Sequence, residues 1–178
     1  MKIRLASEIQ TDSIVDGEGI RTVIWTQGCS HNCKGCHNPE THDFTKGILT
    51  TTEEVIEKID NLELQDGITF SGGDPMMQPE ACMLIAKHCK ELGLNVWCYT
   101  GFTYEQLLDD PKRVEFLKYI DCLVDGKFMI DKKSYDCLFR GSTNQRIIDV
   151  KKSLKQNKTV VCKKYDKRIK SLKTLPIW

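Results

Sequence analysis

The chain has 178 residues, of which 40% are hydrophobic and 29% charged, and its formal net charge is +1. This length fits one domain with a core of its own, and the composition excludes a disordered or fibrous protein. No apolar run approaches the roughly 20 residues that cross a bilayer, and the first residues lack the apolar core of a secretory signal. We therefore expect a cytoplasmic protein without a membrane or nucleic acid as direct partner.

The charge is unevenly distributed along the chain. After Val150 there are ten Lys or Arg residues and one acidic residue, which leaves 16 basic and 24 acidic residues before that point. Residues 1–150 therefore carry about −8 and residues 151–178 about +9. This asymmetry predicts a domain over 1–150 and a basic C-terminal tail over 151–178. Such a tail either meets an acidic surface or is a solvated chain end.

The first predicted elements are a strand, a helix and a second strand. Residues Arg21–Thr26 are β-branched and apolar, which is typical of a buried strand. The run Thr-Thr-Glu-Glu at 51–54 offers a capping box, so a helix is predicted to begin there. Residues 68–71 predict the next strand, and the sequence Gly-Gly-Asp-Pro follows it at 72–75.

Helices and strands continue to alternate in the second half of the chain. A helix with one apolar face is predicted to end at Gly93. That face consists of Cys82, Ile85, Ala86, Cys89 and Leu92. Strands are predicted over 95–100 and 120–124, and short helices over 104–108 and 114–119.

This alternation implies a parallel sheet with right-handed crossovers. A closed (β/α)₈ barrel usually takes about 250 residues, so we expect an α/β fold with a partial, open (β/α) barrel. Ligands of such sheets bind at the carboxyl ends of the strands. Residues 29–36, 72–74 and 125–127 each follow a predicted strand, which predicts one shared site.

Three of the nine cysteines, Cys29, Cys33 and Cys36, lie close together in the chain. An odd number of cysteines without a secretory signal favours reduced thiols over disulfides. The other six are scattered, and we expect them to be buried as small hydrophobic residues. They are Cys82, Cys89, Cys98, Cys122, Cys137 and Cys162.

The three clustered thiolates suit an iron–sulfur cluster or zinc. Electron-transfer clusters use four cysteines, so three would leave one iron open to chemistry. Zinc is the alternative, because His31, His37 or His42 could complete a Cys₃His site. The cysteines alone leave this choice open.

The wider pattern resembles a known superfamily. The C-x₃-C-x₂-C spacing of 29–36, followed by the glycine-rich, acid-terminated strand end at 72–74, resembles the radical S-adenosylmethionine enzymes. Five segments within about residues 10–150 further resemble the activating proteins of anaerobic (class III) ribonucleoside-triphosphate reductases. These segments are 16–21, 28–39, 71–75, 124–128 and 140–146. Many members of the superfamily carry an aromatic residue before the third cysteine, where this chain has Gly35.

The resemblance implies an enzyme with a [4Fe–4S] cluster, ligated by Cys29, Cys33 and Cys36, and with S-adenosylmethionine at the open iron. An external donor such as flavodoxin or ferredoxin would reduce the cluster. Cleavage of S-adenosylmethionine would then yield a 5′-deoxyadenosyl radical. That radical would generate a glycyl radical on the large subunit of the anaerobic reductase.

The resemblance also implies which residues form the cofactor site. The expected S-adenosylmethionine site is lined by Gly35, Cys36, His37, Gly72, Gly73 and Asp74. Asp125 and Lys127 are expected to contact its ribose or carboxylate, and a surface ion pair is the alternative for these two residues. The polar segment 140–146 is expected to shape a docking face for the partner, with a helix-capping turn as the alternative.

Two other functions are compatible with parts of the sequence. The chain could activate a different glycyl-radical enzyme, such as one of the formate-lyase type. Its shortness and its lack of additional ferredoxin-like cysteines disfavour that function. A non-catalytic, zinc-stabilised interaction module would explain the three cysteines but not the segment 72–75.

Overall fold

The structure, a computed structural model, describes residues 1–165, which contain eight strands and five α-helices. The strands are β1 (Lys2–Leu5), β2 (Gln10–Ser13), β3 (Arg21–Thr26), β4 (Ile48–Thr51), β5 (Gly67–Gly72), β6 (Asn95–Tyr99), β7 (Cys122–Asp125) and β8 (Arg146–Asp149). The helices are α1 (Thr52–Asp60), α2 (Pro79–Glu91), α3 (Tyr104–Leu107), α4 (Pro111–Leu117) and α5 (Val150–Gln156). In this described part, every helix is too short or too polar to span a membrane.

The strands form one sheet in the order β4-β1-β3-β5-β6-β7-β8, and β2 also pairs with β3. The central strands β3, β5, β6 and β7 are parallel. Antiparallel strands flank them, with β8 beside β7 and β1 and β2 beside β3. The sheet does not close on itself, so the predicted α/β fold with parallel strands in a partial, open barrel is confirmed. The antiparallel strands were not predicted.

Local sequence signals account for the predicted elements. Thr51 caps α1, where its hydroxyl accepts a hydrogen bond from Glu54 N at 3.2 Å. Helix α2 ends just before Gly93, whose φ of +78° favours glycine. One prediction for α2 is wrong, because Leu92 follows the helix and is 49% exposed. The other four residues of that face are buried in the core.

The scattered cysteines divide into two groups. Cys82, Cys89 and Cys98 are buried, as predicted, whereas Cys122, Cys137 and Cys162 are only partly buried. Helix α2 and strand β6 carry the buried three, and both elements belong to the main core. All nine cysteines are free thiols.

Residues beyond Val150 continue the fold to the end of the described region. Val161 bridges to Ile148 of β8. Tyr165 is buried, and its ring lies 5.3 Å from that of Trp97 and 5.7 Å from that of Phe139, measured between centroids. The predicted boundary at residue 150 coincides with the first residue of α5. The rest of the predicted tail, 166–178, lies outside the described residues.

Three lysines of this segment form ion pairs with acidic groups of the same chain. Their Nζ atoms lie 2.7–2.8 Å from carboxylate oxygens, and all three side chains are mostly exposed. The pairs are Lys151–Asp121, Lys152–Asp149 and Lys164–Glu18. The acidic surface that this part of the tail meets is therefore the chain's own.

These contacts predict the result of a truncation experiment. We expect a chain that ends at Val150 to be less stable than a chain that ends at Tyr165 by at least about 3 kcal/mol, because removal of a buried aromatic side chain costs about 3–5 kcal/mol. Urea denaturation followed by circular dichroism measures the difference. Equal stability of the two chains would mean that residues 151–165 do not contribute to the core.

Candidate active site

The carboxyl ends of the four parallel strands meet at one edge of the sheet, as the alternation predicted. A cavity of about 300 Å³ lies at this edge. Its lining includes Cys29, Cys33, Cys36, His31, His37 and His42. Five glycines also line it, namely Gly72, Gly73, Gly101, Gly126 and Gly141. Thiols, imidazoles and bare backbone thus share one small space.

The cysteine loop is held in place by the segment that follows it. Gly28 N donates a hydrogen bond to Thr41 O at 2.8 Å, and Cys29 N donates to His42 O at 3.2 Å. Gly28 has a φ of +103°, and a Cβ there would lie 2.5 Å from the ring of Phe44. A glycine is therefore required where β3 turns into the loop.

The thiols face a partly dehydrated environment. Burial raises the pKa of Cys29 to about 11. The pKa of Cys33 is also raised, by burial and by the neighbouring Cys36. A metal centre on this loop must therefore displace protons as it binds, because thiolates are the ligands.

Two glycines at the end of β5, Gly72 and Gly73, allow close packing and expose backbone to the cavity. A Cβ on Gly72 would lie 2.5 Å from Thr26 O, and one on Gly73 would lie 2.6 Å from Gly28 O. Gly73 N donates to Thr26 O at 2.7 Å. Any larger residue here would push the end of β5 away from the cysteine loop.

Asp74, which was expected to contact the cofactor, points into the protein interior. It is fully buried, and it is not among the residues that line the cavity. One carboxylate oxygen accepts from Met76 N at 2.9 Å. The other accepts from His31 Nε2 at 2.6 Å, Thr100 Oγ1 at 2.9 Å and Gly101 N at 3.0 Å. The structure thus assigns Asp74 to orienting His31 and the end of β6.

Asp125 and Lys127 do not line the cavity either, although Gly126 between them does. Asp125 is 1% exposed and accepts from Tyr104 N at 2.7 Å and from Arg146 Nε at 3.0 Å. Its carboxylate therefore joins β7 to α3 and β8. Lys127 is exposed. The alternative of a surface ion pair does not describe Asp125, which is buried.

The remaining predicted residues differ in their access to the cavity. Gly35 has a φ of +73°, and a Cβ on it would lie 3.0 Å from the side chain of Ile130. Gly35 does not line the cavity. His37 lines the cavity, and its ring lies 4.5 Å from that of Phe128, between centroids. The structure therefore brings together Cys29, Cys33, Cys36, His37, Gly72 and Gly73 from the predicted set.

Asp16 and Tyr99 are among the lining residues that the sequence did not predict. Asp16 lies in the cavity, and its carboxylate accepts from Ser13 Oγ at 2.5 Å. Tyr99 also lines the cavity, and its hydroxyl donates to Phe139 O at 3.0 Å. Asp16 begins the segment 16–21, so an acidic residue beside glycines was a signal that could have identified it.

A second cavity of about 540 Å³ adjoins the first, and the two share Asp16, His37, Tyr99 and Gly141. Three apolar side chains at its rim are highly exposed: Ile14 and Val15 at 71% each, and Tyr135 at 84%.

The segment 140–146 contributes to both cavities. Gly141 lines both, and Gln145 lines the first. The Gln145 side chain accepts from Gly141 N at 3.0 Å and from Ser142 N at 3.2 Å, which closes a compact loop. Arg146 pairs with Asp125 and is therefore part of the folded structure. The helix-capping turn considered for this segment is not observed, since it leads into β8.

The donor set fits an iron–sulfur cluster. Three thiols from one loop open into a cavity that five glycines help to line, which leaves space beside the thiols for a ligand. His42 Nε2 is buried in this wall and finds no hydrogen-bond partner among residues 1–165. His31, a candidate fourth zinc ligand, is already bonded to Asp74 through Nε2. His42 Nε2 is not engaged in this way, so the donor set by itself also admits a Cys₃His site, and the family match given next decides for the iron–sulfur cluster.

Comparisons with known proteins agree with this geometry. Residues 15–148 match the family described as "4Fe-4S single cluster domain". The chain is 36% identical over 144 residues to the anaerobic ribonucleoside-triphosphate reductase-activating protein of Pasteurella multocida, covering 75% of this chain and 90% of that protein. The corresponding protein of phage T4 is 34% identical over 139 residues, covering 75% and 86%.

A relative with another client is also similar. The pyruvate formate-lyase-activating enzyme of Clostridium pasteurianum is 35% identical over 136 residues, but these cover only 55% of that enzyme. The reductase activators are matched over nearly their whole length, so the predicted resemblance is confirmed. Residues 15–148 form the 4Fe-4S single cluster domain, and the chain belongs to the family of anaerobic ribonucleoside-triphosphate reductase-activating proteins.

Proposed function

We propose that this enzyme generates a glycyl radical on an anaerobic ribonucleoside-triphosphate reductase, using S-adenosylmethionine and a [4Fe–4S] cluster held by Cys29, Cys33 and Cys36. The observation that carries the proposal is the three-cysteine loop, which opens into a cavity where four parallel strands end and which glycines help to line. When bound, the cluster supplies the electron that cleaves S-adenosylmethionine, and an external donor such as flavodoxin or ferredoxin replaces that electron.

The residues of the chain bind and orient the cofactor. Gly72 and Gly73 present backbone to it, and His37 provides an adjacent aromatic wall. Asp16 is a carboxylate within the cavity, so we propose it, rather than Asp74, as the acceptor for the ammonium group of the methionine moiety. No general acid or base is required of the protein. Its task is to exclude water and oxygen from the reacting groups.

The proposal is tested by anaerobic purification and assay. The protein should hold about four irons, and S-adenosylmethionine should perturb the spectrum of the reduced cluster. Methionine should be released after reduction, and the organic radical of the partner should appear by electron paramagnetic resonance. Stoichiometric zinc without an iron-dependent absorption band would overturn it.

The client enzyme is a separate question, because a relative activates pyruvate formate-lyase. We propose the large subunit of the anaerobic reductase, since the reductase activators match this chain over about nine-tenths of their length. Parallel reactions with each client distinguish the two. A glycyl radical on the formate-lyase alone would reassign the client and leave the chemistry unchanged.

We further propose that the reductase segment bearing the glycine enters through the second cavity. That cavity continues into the cluster cavity, and Ile14, Val15 and Tyr135 form an exposed apolar rim around it. Monomers rarely leave such apolar groups grouped on the surface without a binding role. The loop 140–146 lines the same opening through Gly141, which is consistent with its predicted part in docking.

This docking site gives a testable separation of two activities. Val15→Glu and Tyr135→Glu should each lower the glycyl-radical yield by about tenfold, which corresponds to about 1.4 kcal/mol of lost binding. Methionine release without the partner should be unchanged. Leu64→Glu is the control, because Leu64 is 89% exposed and precedes β5 at the opposite edge of the sheet. Parallel loss of both activities in the rim variants would place those residues in the cofactor site instead.

The cellular location is proposed on chemical grounds. All nine cysteines are free thiols, although Cys122 and Cys162 lie close enough to interact. Such thiols persist in a reducing compartment. We therefore propose the cytoplasm.

A further inference from the structure

The proposed function does not explain one imidazole nitrogen beside the cysteine loop, Nε2 of His42. Nε2 of His42 is buried, and no residue in 1–165 forms a hydrogen bond with it. Buried polar atoms in folded proteins nearly always have a partner. His31 follows that rule, since its side chain is buried and its Nε2 lies 2.6 Å from Asp74.

The position of His42 relates it to the cysteine loop. His42 lines the same cavity as all three cysteines. Its backbone oxygen accepts from Cys29 N at 3.2 Å, and its backbone nitrogen donates to Pro39 O at 3.3 Å. The residue is thus anchored beside the first cysteine by main-chain bonds, so its ring does not need a side-chain bond to hold its place.

We propose that His42 Nε2–H donates a hydrogen bond to a sulfur atom of the cluster or of its cysteine ligands, and so raises the reduction potential of the cluster. The inference rests on the proposed cluster at Cys29, Cys33 and Cys36. Hydrogen bonds to cluster sulfurs are one of the factors that set such potentials. The reduced cluster carries one more negative charge than the oxidised cluster, so an N–H donor stabilises it preferentially.

Substitutions of His42 test this role without relying on activity. In His42→Leu, which has no donor, the midpoint potential should shift to a more negative value while the iron content stays at that of the unmodified protein. His42→Gln keeps an N–H group and should shift less. His88→Leu removes a surface histidine on α2 and should leave the potential unchanged. Redox titration followed by electron paramagnetic resonance measures all four proteins.

A measurement on the unmodified sequence keeps the inference testable if His42→Leu does not fold. Protein labelled with ¹⁵N-histidine should show a weak nitrogen coupling to the reduced cluster in pulsed electron paramagnetic resonance, and His42→Gln should lose it. Absence of that coupling, or an unchanged potential in a four-iron His42→Leu protein, would overturn the inference and leave the proposed function standing. Loss of iron in His42→Leu would identify His42 as a ligand, which also contradicts it. If the unmodified protein holds no iron–sulfur cluster, the proposed function itself fails.

Discussion

Alanine at Cys29, Cys33 or Cys36 is expected to reduce the iron content from about four per chain to near zero. Each thiolate supplies one of the three protein bonds to the cluster, and no other cysteine lines the cavity within the described residues. Reductive cleavage of S-adenosylmethionine should fall to background in each variant. Because all three cysteines lie in a partly exposed loop, the fold itself should lose little stability, within about 0.5 kcal/mol. Iron analysis, visible absorption and methionine release measure these effects.

Cys82→Ala is the matched control for these variants. Cys82 is buried in α2 and belongs to the main core, so its loss should cost about 1–3 kcal/mol of unfolding free energy while the cluster is retained. A cluster retained with activity in Cys33→Ala and lost in Cys82→Ala would show that the ligand assignment is wrong.

Asp74→Ala is expected to destabilise the protein by about 3–4 kcal/mol, because it removes the acceptor for four buried or partly buried donors. His31 would lose the bond that orients its ring against the edge of Phe102, at a centroid distance of 4.6 Å. A displaced His31 would obstruct the cavity that it lines. We therefore expect weaker S-adenosylmethionine binding together with the loss of stability, measured by anaerobic titration and by urea denaturation.

Asp110→Ala is the control that distinguishes loss of the Asp74 hydrogen-bond network from loss of an ordinary helix cap. Asp110 caps α4 in the same way that Asp74 caps the turn Pro75–Met77, accepting from Lys112 N at 2.9 Å. It is more exposed, so its loss should cost about 1 kcal/mol. If Asp74→Ala weakened cofactor binding without any loss of stability, Asp74 would be a direct cofactor contact, as the sequence resemblance implied.

Local patterns predicted the elements that carry the site. The β-branched run of β3 and the Thr51 cap of α1 depend on neighbouring residues, so they can be recognised in one sequence. The alternation of strands and helices also placed the three functional segments at one edge, because parallel strands end on the same side. The flanking antiparallel strands β1, β4 and β8 are only four residues long. They carry too little periodicity to be identified.

The sequence by itself determined the cysteine loop, the alternation of parallel strands with helices and the edge at which the site lies. Only the tertiary structure decided the direction of the acidic side chains. Asp74 bonds to His31 and Thr100, which are 43 and 26 positions away in the chain, and Asp125 bonds to Arg146, 21 positions away. A carboxylate at a strand end can turn into the cavity or into the core, and the choice depends on which distant donors the fold places beside it. The packing of Tyr165 against Trp97 has the same origin, since it joins residues that have no local relation in sequence.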